Sequence, residues 1–348
     1  MAESRSLERA APVPVDNDRP VVVTGGAGFV GREVVRQLLA GGCRDVRVCD
    51  LAEPECREAT GLSAWKVDIL RDDLSPAFRG AKTIVHLAAC QYHSRLARDP
   101  YDLPFHSVNV EGTRKVIEAA GAARAECLVF VSSSMVYGIP RALPIGEDHP
   151  RRPLGPYGRS KLEAEALIES ASGRELATVI LRPAPIFGPG RTGVVTRLFD
   201  RILDGRRVAM IGSGRNRQEL TACEDCARLV LLAGGATSGH SVYNAGSAAA
   251  PTVHEWIAAL IAEAGSPSTL TGTPALPIKL WLRSLELARR SPLRREQYEI
   301  ADRDYVLDSS AARARLGWAP KWGGLEAARA TFQWYRTQGR RGSGGARA

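Results

Sequence analysis

The sequence predicts an α/β protein built on a doubly wound parallel sheet, with a smaller, mixed region after it. Three observations carry that expectation. Short β-branched runs alternate with helix-forming stretches from about residue 20 to residue 185. The first run, Pro20–Val23, is apolar throughout rather than alternating, as a strand buried on both faces must be. The residues able to do chemistry fall just after the runs, at the carboxyl ends of the strands, where parallel sheets bind ligands.

The elements follow in order. Pro20–Val23 is the first strand, and it leads directly into Thr24-Gly25-Gly26-Ala27-Gly28-Phe29-Val30-Gly31. A helix over Arg32–Leu39 follows and stops at Gly41-Gly42. The next strand, Val46–Cys49, ends in Asp50. In this context the glycines have distinct tasks. Gly25 permits the tight turn, Gly28 lets a pyrophosphate approach the backbone at the helix N-terminus, and Gly31 lets helix and strand pack closely. Asp50, 19 residues beyond Gly31, stands where a carboxylate binds a ribose 2′-hydroxyl, which favours NAD over NADP. Phe29, Val30 and Leu51 flank the same turn.

A third strand is expected over Trp65–Leu70, placing Asp68 and Ile69 at its end, and a fourth over Thr83–Ala89. The fourth closes in Leu87-Ala88-Ala89, whose small residues admit a flat ligand close to the backbone. A helix over Asn109–Ala123 and a strand over Cys127–Val131 lead to Ser132-Ser133-Ser134-Met135. After a proline-rich loop comes a helix from Tyr157 to about Ala171, then a sixth strand, Ala177–Leu181, followed by Arg182-Pro183. Tyr157 and Lys161 lie four apart and share a helix face. The lysine ammonium is expected to lower the tyrosine pKa and make it a general base or acid near neutral pH.

Beyond Phe187 the pattern loosens into a loop (Gly188-Pro189-Gly190-Arg191), a helix over Val194–Leu203, a strand over Arg206–Ile211 and a Leu- and Arg-rich helix over Pro274–Arg290. Glu286 beside Arg283 and Arg289 makes that last helix a covering helix rather than a membrane-surface one. Trp318, Trp322 and Trp334 are expected as packing anchors. The organisation read from this is a disordered lead-in (1–19), a cofactor-binding domain with the tyrosine helix (20–185), a mainly substrate-binding region (186–335) and a disordered basic tail (336–348).

Composition narrows the function. With 348 residues, 44% hydrophobic and 24% charged, the chain has the make-up of a soluble globular protein with a large core. No apolar run is long enough to span a bilayer, and Met1–Arg19 lacks the apolar stretch of a secretory signal. The net charge is +9, but Arg336, Arg340, Arg341 and Arg347 place four of those charges on the tail. Without aromatic interleaving, the basic residues point away from nucleic acid and towards an anionic small molecule. Seven scattered cysteines without framework spacing fit reduced thiols in a cytoplasm. Cys223 and Cys226, a CxxC with no second pair and no nearby His, are expected as buried helix cysteines, so no metal site is expected.

TGGAGFVG, HLAA, Asn109-Val110-Glu111-Gly112-Thr113, SSSMVYG, YGRSK, LRPAPIFGPG and RARLGWAP occur in one order. That order resembles the extended short-chain dehydrogenase/reductases, the NAD-dependent epimerase/dehydratase group, over roughly residues 20–335. The resemblance implies a Rossmann-type sheet, NAD as cofactor and a catalytic group of Ser133, Tyr157 and Lys161. Lys161 would hold the nicotinamide ribose, Tyr157 would take a proton from a substrate hydroxyl, and Ser133 would orient the same oxygen. Asn109, Ser132, Pro183 and Ile186 join the cofactor set by the same resemblance, and Asn109 supports the active-site backbone. Gln91, Ser134, Met135, Arg191 and Arg217 are the substrate-side candidates; Arg294, Arg295 and Arg303 are further ones.

The resemblance also bears on the reaction. Dehydrating and decarboxylating members carry acidic residues just after the catalytic Ser or Thr, where this chain has Ser134 and Met135. That leaves a sugar-nucleotide 4-epimerase as the expected activity. Pro185 replaces an Asn common in nucleotide-sugar members and resembles the sterol and flavonol reductase branches, so an NAD(P)-dependent dehydrogenase or ketoreductase of a sterol-like or secondary-metabolite alcohol is the alternative. A non-catalytic, cofactor-bound scaffold is the reading from another class, and the intact Ser133, Tyr157 and Lys161 speak against it. Family members pair through helices corresponding to Asn109–Ala123 and Tyr157–Ala171, so a homodimer is expected.

Overall fold

The fold is described from a computed structural model, which covers residues 15, 17–54, 58–92, 94, 96–97, 99 and 101–339. The Val21-Val22-Val23 run forms the central strand β1 (Val21–Thr24) because alternate valines can bury on opposite faces. Val21 and Val23 enter one core and Val22 the other. Next come α1 (Phe29–Ala40), β2 (Val46–Asp50), β3 (Leu62–Lys66), the short α2 (Ser75–Phe78) and β4 (Thr83–His86). A π-helical turn, Ser107–Glu111, opens α3 (Gly112–Ala122). Then follow β5 (Cys127–Val131), α4 (Pro156–Ala171), β6 (Ala177–Pro183), β7 (Ile186–Phe187), α5 (Val194–Leu203), β8 (Val208–Ile211), β9 (Thr221–Ala222), α6 (Cys223–Ala233) and β10 (His240–Ala245). The chain closes with α7 (Val253–Ala264), β11 (Leu270–Thr273), α8 (Ala275–Leu287), α9 (Arg295–Tyr298), α10 (Ser310–Leu316) and α11 (Gly324–Trp334).

Seven parallel strands form the main sheet in the order β10-β6-β5-β4-β1-β2-β3. The expected doubly wound sheet is therefore present. From β1 the chain runs outward to β2 and β3, then returns to β4 on the other side and continues to β5 and β6. The direction reverses between β1 and β4, which opens a crevice at their carboxyl ends. A third core joins α5, α7 and α11 through Phe199, Trp256 and Phe332.

Besides shifts of a few residues at element ends, three features differ from the sequence reading. The third strand lies over Leu62–Lys66, not Trp65–Leu70. As the sheet edge it pairs only with β2 and is half exposed, so apolarity does not mark its register. Asp68 and Ile69 follow it in a turn closed by the Leu70 N–H donating to Asp68 Oδ1 at 2.8 Å. Second, a seventh strand, β10, comes from residues 240–245, within the stretch read as mainly substrate-binding. Its polar residues hid it: Asn244 is buried, and its side chain is used inside the fold. Third, ordered chain begins before Pro20. Val15 is buried in the β1 core, and the Asn17 side-chain amide donates to the Gly41 carbonyl. Residues 1–14, 16 and 340–348 of the expected lead-in and tail lie outside the described residues, whereas Arg336–Gly339 continue from α11 as a π-helical turn.

Trp318 is fully buried and donates from its indole to the Asp225 carbonyl, and Trp322 and Trp334 pack on the third core. The six described cysteines are buried, with Cys223 and Cys226 on α6. Among the described residues, no helix is long and apolar enough to cross a membrane, and no group of His, Cys, Asp and Glu is placed to hold a metal.

Candidate active site

The glycine turn packs without room for side chains. A Cβ on Gly25, which has φ +74°, would meet the Ala88 backbone nitrogen at 2.5 Å, and one on Gly31 would meet the Gly25 carbonyl at 2.2 Å. Helix α1 starts at Gly28 with no side-chain cap, so its N-terminal amides point at the crevice rather than at a neighbouring residue. Asp50 is fixed beside them. Its carboxylate accepts the Ala27 N–H at 3.0 Å and the Ala52 N–H at 3.1 Å. Leu51 is exposed next to it, and Ile69 is buried against Gly112. The Leu87 amide donates to the Thr24 carbonyl, which lays Leu87-Ala88-Ala89 along the opposite wall. Pro183 ends β6 in register with Ala245, and Ile186 begins β7. Tight glycines, an uncapped helix N-terminus and an anchored carboxylate at the end of β2 fit a dinucleotide whose ribose keeps a free 2′-hydroxyl.

The chemistry-bearing side chains gather from β5 and α4. Ser133 follows β5 in an extended conformation and its hydroxyl accepts the Met135 N–H at 3.2 Å. Tyr157 lies in the first turn of α4, with its hydroxyl beside Ser133. Burial pushes its pKa above the usual tyrosine value; the Ser133 contact and the Arg191 guanidinium pull it down, and the Glu296 carboxylate and Cys90 push it up. Lys161, one turn on, is buried and donates to the Val131 carbonyl at 2.8 Å, with its ammonium 4.6 Å from the Phe130 ring centroid. Burial lowers its pKa to about 7, opposed by Glu165. Lys161 is thus turned to the end of β5, and Arg191 is a second cation that lowers Tyr157.

Asn109 joins these parts. Its side chain accepts the Cys90 N–H at 2.7 Å and donates to the Cys90 carbonyl and to Ser160 on α4. The π-helical turn that carries it aims the amide inward, clamping the strand after β4 to the tyrosine helix. Arg191 lies over the Phe29 ring at 5.8 Å, so the loop after β7 closes on the glycine turn.

Of the expected substrate contacts, Ser134 is placed elsewhere. Ser134 is wholly buried; its carbonyl accepts the Tyr305 hydroxyl, and its own hydroxyl has no partner. It lies on the inner side of the turn that presents Ser133. Met135 turns its carbonyl to Gly158. Arg217 is half exposed and paired with Asp304 at 3.6 Å. Gln91 is partly buried in a local turn with Ser94. Ser132 is buried with an unpartnered hydroxyl. Arg294 stacks on Tyr101 at 3.3 Å, which takes it out of the solvent-facing set.

Sequence reasoning missed two acidic residues. Glu165, one turn beyond Lys161, forms a two-point ion pair with Arg182 at 2.9 and 2.8 Å. Arg182 also donates to the Tyr137 hydroxyl and the Glu147 carbonyl. Glu165 follows Lys161 by four, the spacing already noted for Tyr157, so its position was open to inference. Glu296, from α9, reaches the start of α4 and accepts the Gly158 N–H at 3.0 Å. Its only signal in the sequence is indirect: a helix that begins Gly155-Pro156-Tyr157-Gly158 has no capping side chain of its own.

The sheet, the crevice and the Ser–Tyr–Lys group define an NAD-dependent enzyme of the extended short-chain dehydrogenase/reductase type. A sequence model of the NAD dependent epimerase/dehydratase family matches residues 21–246, and the chain belongs to that family. It is 29% identical over 333 residues to the UDP-glucose 4-epimerase of Mycolicibacterium smegmatis, covering 91% of this chain and 98% of that protein. It is equally 29% identical, over 311 residues, to the 4-hydroxy-2-methyl-3-oxo-4-farnesyl-3,4-dihydroquinoline-1-oxide ketoreductase of Stigmatella aurantiaca, covering 85% and 91%. Among solved structures, MoeE5 in complex with UDP-glucose and NAD matches with a TM-score of 0.73 at 28% identity, over 91% of this chain and 98% of that one.

Proposed function

We propose that the protein is a nucleotide-sugar 4-epimerase. One observation carries the choice of reaction: the two positions after Ser133 hold no carboxylate. Ser134 is buried and Met135 cannot transfer a proton. Elimination of water or loss of carbon dioxide needs a further acid or base beside the tyrosine. Oxidation and re-reduction at one carbon needs only the three residues present. The epimerase relative and the UDP-glucose complex support a nucleotide sugar.

In this reading Gly25, Gly28 and Gly31, with the amides of Phe29 and Val30, hold the pyrophosphate, and Asp50 holds the adenine ribose. Leu51, Asp68 and Ile69 flank the adenine. Leu87, Ala88, Ala89, Ser132, Pro183 and Ile186 line the path to the reacting carbon, and Asn109 fixes its wall. NAD, when bound, supplies a hydride acceptor that can return what it takes. Tyr157 removes the proton from the 4-hydroxyl and gives it back after the keto sugar has turned over. Ser133 holds that oxygen, and Lys161 binds the ribose hydroxyls. Arg191 and Arg217 contribute positive charge for the diphosphate, Gln91 and Met135 line the sugar, and the region after residue 185 mainly binds substrate. The same reading includes a cytoplasmic location and a homodimer through the outer faces of α3 and α4, to be checked by light scattering.

Pro185 and the ketoreductase relative favour a second reading, net oxidation or reduction of a secondary-metabolite alcohol. Incubation of the purified protein with UDP-glucose, UDP-galactose and their dTDP and GDP counterparts separates the two. Interconversion of two epimers without net NADH supports the epimerase. NADH released in proportion to product overturns it in favour of the dehydrogenase. A second test addresses the cofactor. Asp50→Ala is expected to narrow the preference for NAD over NADP about tenfold, the worth of one ribose hydrogen bond; an unchanged ratio removes Asp50 from the ribose.

A further inference from the structure

Helix α4 carries Tyr157 in its first turn, yet its N-cap is Gly155, which has no side chain to accept the helix's first amides. The acceptor comes from 138 residues away. Glu296, buried at 2% exposure, accepts the Gly158 N–H at 3.0 Å and lies within hydrogen-bonding reach of the Tyr157 backbone. The local glycines make room for it. A Cβ on Gly155 would meet Glu296 Cδ at 2.8 Å, and one on Gly158 would come within 3.0 Å of Oε2. Gly155 has φ −139°, an ordinary extended value, so the constraint there is space and not backbone strain. The second carboxylate oxygen, Oε1, is buried facing the Tyr92 hydroxyl; burial pushes the Glu296 carboxyl up, and Tyr92 and the amides of Gly158 and Tyr157 hold it down. Tyr92 in turn packs its ring 6.1 Å from the Tyr157 ring. A charge held this way is costly unless something uses it.

We propose that Glu296 is a positioning residue for Tyr157: a carboxylate from the C-terminal region that caps the tyrosine helix from outside and faces the tyrosine. The proposal rests on the reading of Tyr157 as the proton-transfer group. It also gives the two halves of the chain a defined link. The substrate side contributes α9, the cofactor side contributes α4, and the cap forms only when the two are docked. Cap and charge act in different ways. The cap holds the first turn, and so the direction of the hydroxyl. The charge opposes formation of the phenolate, against the Ser133 contact and Arg191. The other groups in this environment are Cys90 beside Tyr157, and Tyr92 and Arg159 beside Glu296.

The test uses the full-length protein and needs no substrate. Phenolate absorbance is titrated in the protein and in Tyr157→Phe, and the difference isolates Tyr157. Hydrogen exchange is followed over peptides spanning residues 154–165. Glu296→Gln keeps an oxygen for the Gly158 amide but removes the charge. It is expected to move the Tyr157 midpoint down by about one pH unit with exchange in the first turn unchanged. Glu296→Ala removes both, and exchange in that turn should rise about tenfold, as expected for loss of a helix cap. Gly155→Ala leaves the carboxylate in the chain but displaces it, and should give part of both effects, which covers the case of a Glu296 variant that does not fold. A Tyr157 midpoint unmoved in Glu296→Gln, or first-turn exchange unmoved in both Glu296→Ala and Gly155→Ala, overturns the proposal. If these shifts appear while Tyr157→Phe keeps full turnover of the nucleotide sugars, the positioning stands and the catalytic reading of Tyr157 falls.

Discussion

Two successive stretches of one helix handle buried polarity in opposite ways. In the middle of α4, Glu165 is fully buried but satisfied on both oxygens by Arg182, and Arg151 adds a third contact at 3.1 Å. Arg182 also donates to Tyr137 and Glu147, and the Tyr137 hydroxyl donates to the Asn244 side-chain oxygen on β10. That network ties α4 to β6 and to the edge strand. At the start of α4 the groups are as buried but poorly partnered. The hydroxyls of Ser132 and Ser134 around it have no hydrogen bond, Glu296 turns one oxygen to the Tyr92 hydroxyl in poor geometry, and Lys161 has its pKa lowered to about 7 by burial. Satisfied polar networks rigidify a fold, whereas unsatisfied ones mark places where groups are held for another partner. The difference teaches where α4 is structure and where it is site.

The largest expected effect falls on the site end. Tyr157→Phe should lower turnover of the nucleotide sugar about 10²- to 10⁴-fold, the usual worth of a positioned acid or base, while folding stability changes by less than about 1 kcal/mol. Steady-state rates and urea titrations of the same preparation check both halves. Comparable activity in the variant would sink the assignment of the base, and a large stability loss would erase the contrast. The next effect falls on the middle. Glu165→Ala leaves Arg182 buried without its partner and should cost about 3–5 kcal/mol of stability. Its urea midpoint should fall accordingly. A loss below about 1 kcal/mol would mean that the network relaxes and is not the anchor proposed here.

How much of this could be read from sequence depended on whether the determinant was local. The glycine turn, Asp50 and the Tyr157–Lys161 spacing were legible because each task is done by residues within a few positions of one another. The strand over Cys127–Val131 and the helix over Val194–Leu203 have the expected bounds for the same reason. Edge strands were not legible. β3 and β10 are fixed by pairing with one neighbour, so their own residues need not be uniformly apolar. Nor was the direction of Lys161. Spacing puts it on the face of Tyr157, but the Val131 carbonyl, an acceptor on another element, decides where its ammonium points. Glu296 is the extreme case. Its partner is distant in sequence, and the visible trace is a missing cap at Gly155.

Ser134 gives the smallest and most discriminating effect. The sequence reading puts it among substrate contacts; the structure buries it beneath Ser133 with an unpartnered hydroxyl. A buried hydroxyl without a hydrogen bond costs free energy, so removing it should be neutral or stabilising, by up to about 1 kcal/mol. The main-chain carbonyl that holds Tyr305 is untouched by the change. Ser134→Ala should therefore leave the urea midpoint level or slightly raised, with the KM for nucleotide sugar unchanged. A raised KM at constant stability would return Ser134 to the substrate side. A loss of stability beyond 1 kcal/mol would show that its hydroxyl is paired after all, and that the start of α4 is less sharply distinguished from its middle.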